Sequence, residues 1–172
     1  MITDTINTTA LFTSLDETWA ELLKLISSAN EKALTTIPCK YSWTAAQLIV
    51  HVKKSNKGIK QALNMEGKTA DRNHDERVPE LKKVFLDFDA KYQSPEFIVP
   101  EKGYYNKEEI IEGLKKSIEQ LQDMRMEKDL SEIISLPIFG EVTKLELLHF
   151  VLYHTQRHIH QLKKILKAIK EK

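Results

Sequence analysis

The residues with the clearest chemical potential are histidines. The chain has six: His51, His74, His149, His154, His158 and His160. Four of them fall within twelve residues near the C-terminal end. On an α-helix, His154 and His158 lie within about 40° of each other, and Gln161 lies about 20° from His154. Two imidazoles one turn apart can both reach one ion at about 2.0–2.1 Å. His154 and His158 also occupy slots in an apolar stripe, between Val151 and Leu162, where core residues are expected. Buried imidazoles need partners, because an unpaired buried polar group costs about 1–3 kcal/mol. One metal ion satisfies both at once. Hydrogen bonds at a helix end or to core carbonyls satisfy them separately. His149 and His160 point away from this face and are expected at a flank or in solvent.

Two familiar metal patterns are excluded. A zincin needs His-Glu-x-x-His with the glutamate as base, and here Thr155 follows His154. A di-iron bundle needs two Glu-x-x-His pairs and two further glutamates. Glu146-x-x-His149 is one such match, but Glu146 is better read as the helix-capping partner of Thr143. His51 adds a third imidazole. It lies on a narrow, mostly small face with Thr44, Leu48, Ser55, Gly58 and Ala62. If its helix neighbours the last one, His51, His154 and His158 can converge. Three neutral imidazoles with an open position make a reactive site rather than a closed structural one.

Other residues carry less. Gln161 can orient a ligating imidazole. Ser55 faces the same way as His51 and could meet substrate or a water. Arg157 could meet an anionic substrate, although a solvated face is the simpler reading. Trp19 and Trp43 read as core, and Cys39 as an unremarkable thiol.

Helices must position these groups. The five prolines, at 38, 79, 95, 100 and 137, delimit the helical stretches, since proline lacks an N–H and clashes with the preceding turn. A first helix is read from Thr9 to Thr35 on Leu11, Leu15, Trp19, Leu22, Leu23, Ile26 and Ala33. A second starts near Trp43 with a Thr44–Gln47 capping box, carries Leu48, Val52, Ile59 and Leu63, and ends at Gly67. A third starts at Asn106, with Glu109 three residues on, and fades near Asp129. The fourth starts at Thr143–Glu146 and runs to the C-terminus, its last turns rich in lysine, which suits the helix dipole. Lys68 to Tyr105 is a long connection, either a short helix after Pro79 or an extended segment. Leu136 to Gly140 reads as a tight apolar turn. The fold class is all-α: a four-helix bundle with a long crossover between helices 2 and 3, as one domain over residues 1–172.

Composition narrows the function. A chain of 172 residues buries about 70% of the surface its unfolded form exposes and needs no staple. A net charge of +1 argues against nucleic-acid binding, which shows a basic excess. A single cysteine excludes an intrachain disulfide and a Cys-rich zinc site. The polar, Thr-rich stretch Met1–Ser14 lacks the pattern of a signal peptide, and no stretch approaches the ~18 apolar residues of a membrane span. A cytoplasmic protein is expected.

The segment Tyr41-Ser42-Trp43-Thr44-Ala45-Ala46-Gln47-Leu48-Ile49-Val50-His51 resembles the Trp-(Ser/Thr)-x-x-(Gln/Glu)-x-x-x-His stretch of the DinB/YfiT-like superfamily. Tyr153-His154-Thr155-Gln156-Arg157-His158-Ile159-His160-Gln161-Leu162 resembles that superfamily's terminal His-x-x-x-His-x-x-Gln signature. The order of the two motifs, the length and the long crossover suit the resemblance. It implies a four-helix bundle with one divalent metal ion, zinc or nickel, held by His51, His154 and His158. It also implies a small-molecule substrate, a homodimer, and either thiol-dependent S-transfer with a low-molecular-weight thiol cosubstrate or hydrolysis. A non-catalytic metal-binding or interaction module is the alternative.

Overall fold

Short polar side chains start the helices. The computed structural model describes residues 6–172; the signal-peptide reading of Met1–Ser14 rests partly on residues outside that range. Asn30, Thr44, Asn106 and Thr143 each accept a hydrogen bond from a backbone N–H three residues on. That satisfies a donor the first helical turn leaves open. Thr44 with Gln47 and Thr143 with Glu146 form complete capping boxes, as their spacing predicts.

Among the described residues there are six α-helices: α1 (Thr9–Ser28), α2 (Glu31–Thr35), α3 (Ala45–Leu63), α4 (Val78–Leu86), α5 (Lys107–Glu127) and α6 (Lys144–Lys170). A 3₁₀ turn spans Glu96–Ile98, and β1 (Ile133–Leu136) pairs antiparallel with β2 (Gly140–Thr143). The long helices α1, α3, α5 and α6 form a four-helix bundle. α1 packs on α5 and α6, and α3 packs on the same two. The first and second long helices are therefore diagonal to each other, and α3 and α6 are neighbours. Leu15, Trp19, Leu22, Ile49, Leu63, Leu114, Leu121, Leu147 and Leu162 fill the interior. Each such large apolar side chain contributes about 1.5–3 kcal/mol by leaving water.

Several local readings change. The single helix expected over Thr9–Thr35 is two. Ala29 turns to an extended conformation, and Asn30 then caps α2 through its side chain. A side-chain oxygen that can serve a new helix start outcompetes continuation of the old one. The second long helix ends at Leu63, capped by Asn64, and not at Gly67. Gly67 serves a close approach instead: a Cβ there would stand 2.6 Å from Glu132 Cβ. Beside it, Lys68 and Ile133 exchange two backbone hydrogen bonds of 3.0 and 2.9 Å. The apolar turn at Leu136–Gly140 is the tip of a hairpin, with Gly140 at φ 66°, a left-handed value that glycine adopts freely. The strand runs are only four residues long each, too short for alternation to announce them.

The crossover between α3 and α5 does contain a helix after Pro79, namely α4, with proline in its first turn. There a missing N–H costs nothing. α4 packs on α6. The crossover is tied to the start of α6 by buried Glu146, whose carboxylate accepts two bonds from Arg72 (2.7 and 2.8 Å) and one from the Arg77 backbone N–H (2.8 Å). Thr143 Oγ1 donates to the His74 carbonyl at 2.6 Å. No helix of the described residues is long and apolar enough to cross a membrane.

Candidate metal centre

α3 presents His51 two turns after its cap, and α6 presents His154 and His158 one turn apart. Because α3 and α6 are neighbours, the three rings meet. Their Nε2 atoms stand 3.3 Å (His51 to His154), 3.0 Å (His51 to His158) and 2.9 Å (His154 to His158) from one another. All three side chains are buried, at 2, 6 and 6% exposure.

The outer nitrogens decide what the inner ones can do. His51 Nδ1 lies 3.0 Å from the carbonyl oxygen of Ile98, an acceptor only, so Nδ1–H donates there. His158 Nδ1 lies 2.6 Å from Gln161 Oε1 and donates likewise. A neutral imidazole carries one N–H. The Nε2 atoms of His51 and His158 therefore face each other as bare lone pairs at 3.0 Å, with no proton between them. A single N–H on His154 Nε2 can serve only one of them. The charge state agrees. Burial lowers the pKa of His51 against the raising effect of the Ile98 bond. Burial, then the charges of His158, His51 and Arg157, holds His154 well below the usual range. Burial and the neighbouring His51 charge push His158 down to about 3, against the opposing bond to Gln161. All three rings are neutral near pH 7, the form that binds metal.

The donor set fits a divalent ion. Donors about 2.0–2.1 Å from a common ion at tetrahedral or octahedral angles stand about 2.9–3.4 Å apart, and these do. Among the described residues, His51, His154 and His158 are the group of metal-ligating side chains close enough to share one ion.

A family model for the DinB superfamily matches residues 14–162, which include His51, His154 and His158. The chain belongs to the DinB superfamily. The Bacillus subtilis (strain 168) protein "Uncharacterized protein YuaE" is 26% identical over 156 residues, covering 89% of this chain and 93% of YuaE. Two solved structures share the fold. One is TT2238, "a four-helix bundle protein", with a TM-score of 0.60 at 17% identity, covering 90% of this chain and 97% of that one. The other is YfiT from Bacillus subtilis, described as "a probable metal-dependent hydrolase with an unusual four-helix bundle topology". Its TM-score is also 0.60, at 16% identity, covering 99% of this chain and 93% of that one.

Within this DinB superfamily bundle the lesser candidates separate. Gln161 holds His158 directly, as its place on the helix face suggests. Ser55 is buried one turn along α3 from His51 and takes no part in that set of hydrogen bonds. Arg157 is not on a solvated face. It is buried at 6% exposure, because the crossover folds over it, and it donates to the carbonyls of Asp87 (2.7 Å) and Ala90. Both of its terminal nitrogens are thus engaged with the backbone of the crossover. Trp43 packs half-buried against the core, where Trp19 is fully buried, and its ring centre stands 5.1 Å from that of His51. His149 is half-buried, 3.4 Å from the Tyr153 hydroxyl. His160 is half-buried and stacks on Phe88 at 4.2 Å. Both are flank residues, as read. Cys39 is exposed, its sulfur 2.7 Å from the Ser42 hydroxyl.

Three contributors escaped the sequence reading. Phe150 stacks on His154 with ring centres 4.9 Å apart, and Phe85 meets it edge-on at 6.0 Å. They form an apolar wall. The third is the Ile98 carbonyl, which fixes His51. Phe150 could have been found, four residues before His154 on one helix face. A backbone carbonyl 47 residues from its partner leaves no signal in residue type.

Proposed function

We propose that the chain is a divalent-metal-dependent enzyme acting on a small molecule, by thiol-dependent S-transfer or by hydrolysis. The observation that carries it is the set of three converging Nε2 atoms in neutral rings, two of them bare lone pairs because the outer nitrogens of His51 and His158 are already committed. An ion held by His51, His154 and His158, zinc or nickel by ligand type, would supply Lewis acidity that lowers the pKa of a coordinated thiol or water. The chain's own residues do the rest. Ile98 and Gln161 fix two rings in the tautomer that offers Nε2. Phe85 and Phe150 keep water from the His154 side, which strengthens electrostatic effects within. Three protein donors leave room for an exogenous one, unlike a closed four-ligand site.

The structural likeness to YfiT and its description support hydrolysis. A paired assay separates the two reactions. Zinc- or nickel-loaded protein is given an electrophilic small molecule with and without a low-molecular-weight thiol, and an ester panel without thiol. S-transfer predicts a conjugate formed only with thiol and lost in His154→Ala. Ester cleavage independent of thiol, lost in the same variant, favours hydrolysis. No turnover in either arm with metal bound overturns the enzyme reading in favour of a metal-binding module. The same proposal carries a cytoplasmic location and a homodimer, which light scattering of the loaded protein tests.

A further inference from the structure

The three rings are buried, yet the proposed chemistry needs a ligand to reach them. Residues 87–99 of the crossover follow α4 and are anchored at both helices that carry the histidines, to α6 near one end and to α3 near the other. At one end, Arg157 donates to the carbonyls of Asp87 and Ala90, and its guanidinium carbon stands 5.1 Å from the centre of the Tyr92 ring. Phe88 stacks on His160 there. At the other end, His51 Nδ1 bonds the Ile98 carbonyl, and Lys54 Nζ bonds that of Val99 at 2.9 Å. Between Ala90 and Pro95 the backbone has no regular structure.

The two ends differ in kind. Release at Ile98 would free the outer nitrogen of a site histidine and disturb its tautomer. Release at Arg157 breaks no hydrogen bond made by any of the three rings. Arg157 is also a buried cation whose partners here are strap carbonyls, so its charge is committed to holding this segment down. We propose that Arg157 is a positioning residue that latches the 87–99 strap over the histidine cleft, and that release at this end is the route by which a ligand enters. This rests on the reading above that a ligand must enter. The test uses metal-free protein, so it stands whether or not that reading does.

Diethyl pyrocarbonate acylates accessible neutral imidazole, and peptide mass spectrometry resolves the rate at each histidine. The probe is applied near pH 7 to wild type, Arg157→Met and Arg157→Lys, alongside backbone amide exchange. In wild type, His51, His154 and His158 should react far more slowly than His74. Arg157→Met should raise their rates about tenfold or more, the scale of losing charge-assisted hydrogen bonds. It should also speed exchange across 88–99 while leaving α1 and α5 unchanged. Arg157→Lys should give a smaller rise. Faster strap exchange with unchanged histidine rates would show that the strap is not the gate. Unchanged strap exchange would show that Arg157 is not the latch. If Arg157→Met loses its helical circular dichroism, the double variant Phe88→Ala, Tyr92→Ala, which removes the strap's ring contacts with α6, decides by the same two readings.

Discussion

Two buried polar clusters stand on α6 and meet the crossover, and they are built oppositely. Around Glu146 every charge has its answer. The carboxylate accepts from Arg72 twice, from the Arg77 backbone and from the Thr143 backbone. Burial pushes its pKa up, but the Arg72 bond and the two backbone N–H groups outweigh that, and the carboxyl is held below its usual range. Around His51, His154 and His158 two outer nitrogens are answered, and the lone pairs of His51 and His158 Nε2 cannot both be. The first cluster is complete within the protein. The second is complete only with a cation. A buried group that stabilises the fold closes its hydrogen bonds, whereas one kept for binding leaves them open and aimed.

Breaking the closed cluster should have the largest effect on stability. Glu146→Ala removes the carboxylate that pairs with the Arg72 guanidinium and strands two backbone donors, and should cost about 3–5 kcal/mol in urea unfolding, with metal affinity of the folded fraction unchanged. A loss under 1 kcal/mol would erase the contrast. Gln161→Ala should do the converse. It frees His158 Nδ1 and should weaken zinc or nickel affinity about 10–100-fold in competition with a chromogenic chelator.

Acid should separate the two clusters by pH. The histidine pKa values are lowered on folding, so the unfolded chain binds protons first. Metal-free protein should lose stability as pH falls below 6.5, the ordinary histidine value, down towards about 3 for His158. Glu146 adds its loss only below the ordinary carboxyl value of 4.5. Sloping urea midpoints between pH 6.5 and 4.5 in wild type, flattened in His158→Leu, would bear this out. Equal slopes would contradict it. The smallest effect is expected from His154→Leu in the metal-free chain. Exchanging a ring that can serve at most one of two facing lone pairs for an apolar side chain should change stability by no more than about 1 kcal/mol. A loss of several kcal/mol would mean that the three rings already satisfy one another.

What was legible in the sequence follows the range of the interactions. The capping boxes at Thr44 and Thr143, the apolar stripes, and the shared face of His154, His158 and Gln161 are local, and the structure has them as read. Convergence with His51 needed α3 beside α6, which the sequence posed as a condition and the packing meets. The break at Ala29 was hidden because Leu22, Ile26 and Ala33 keep the helical period across it. The solvated-face reading of Arg157 failed because its burial came from carbonyls 67–70 residues away. The Ile98 carbonyl has no residue type to betray it, since any amino acid supplies one.

The central claim is that one ion answers the three inner lone pairs. Metal content by plasma mass spectrometry on tag-free protein, after reconstitution with zinc and with nickel, tests it most directly beside His51→Ala and His158→Ala. The account predicts about one divalent ion per wild-type chain and none retained by either variant. A wild-type chain that holds no ion after both reconstitutions, or variants that hold as much as wild type, would contradict it.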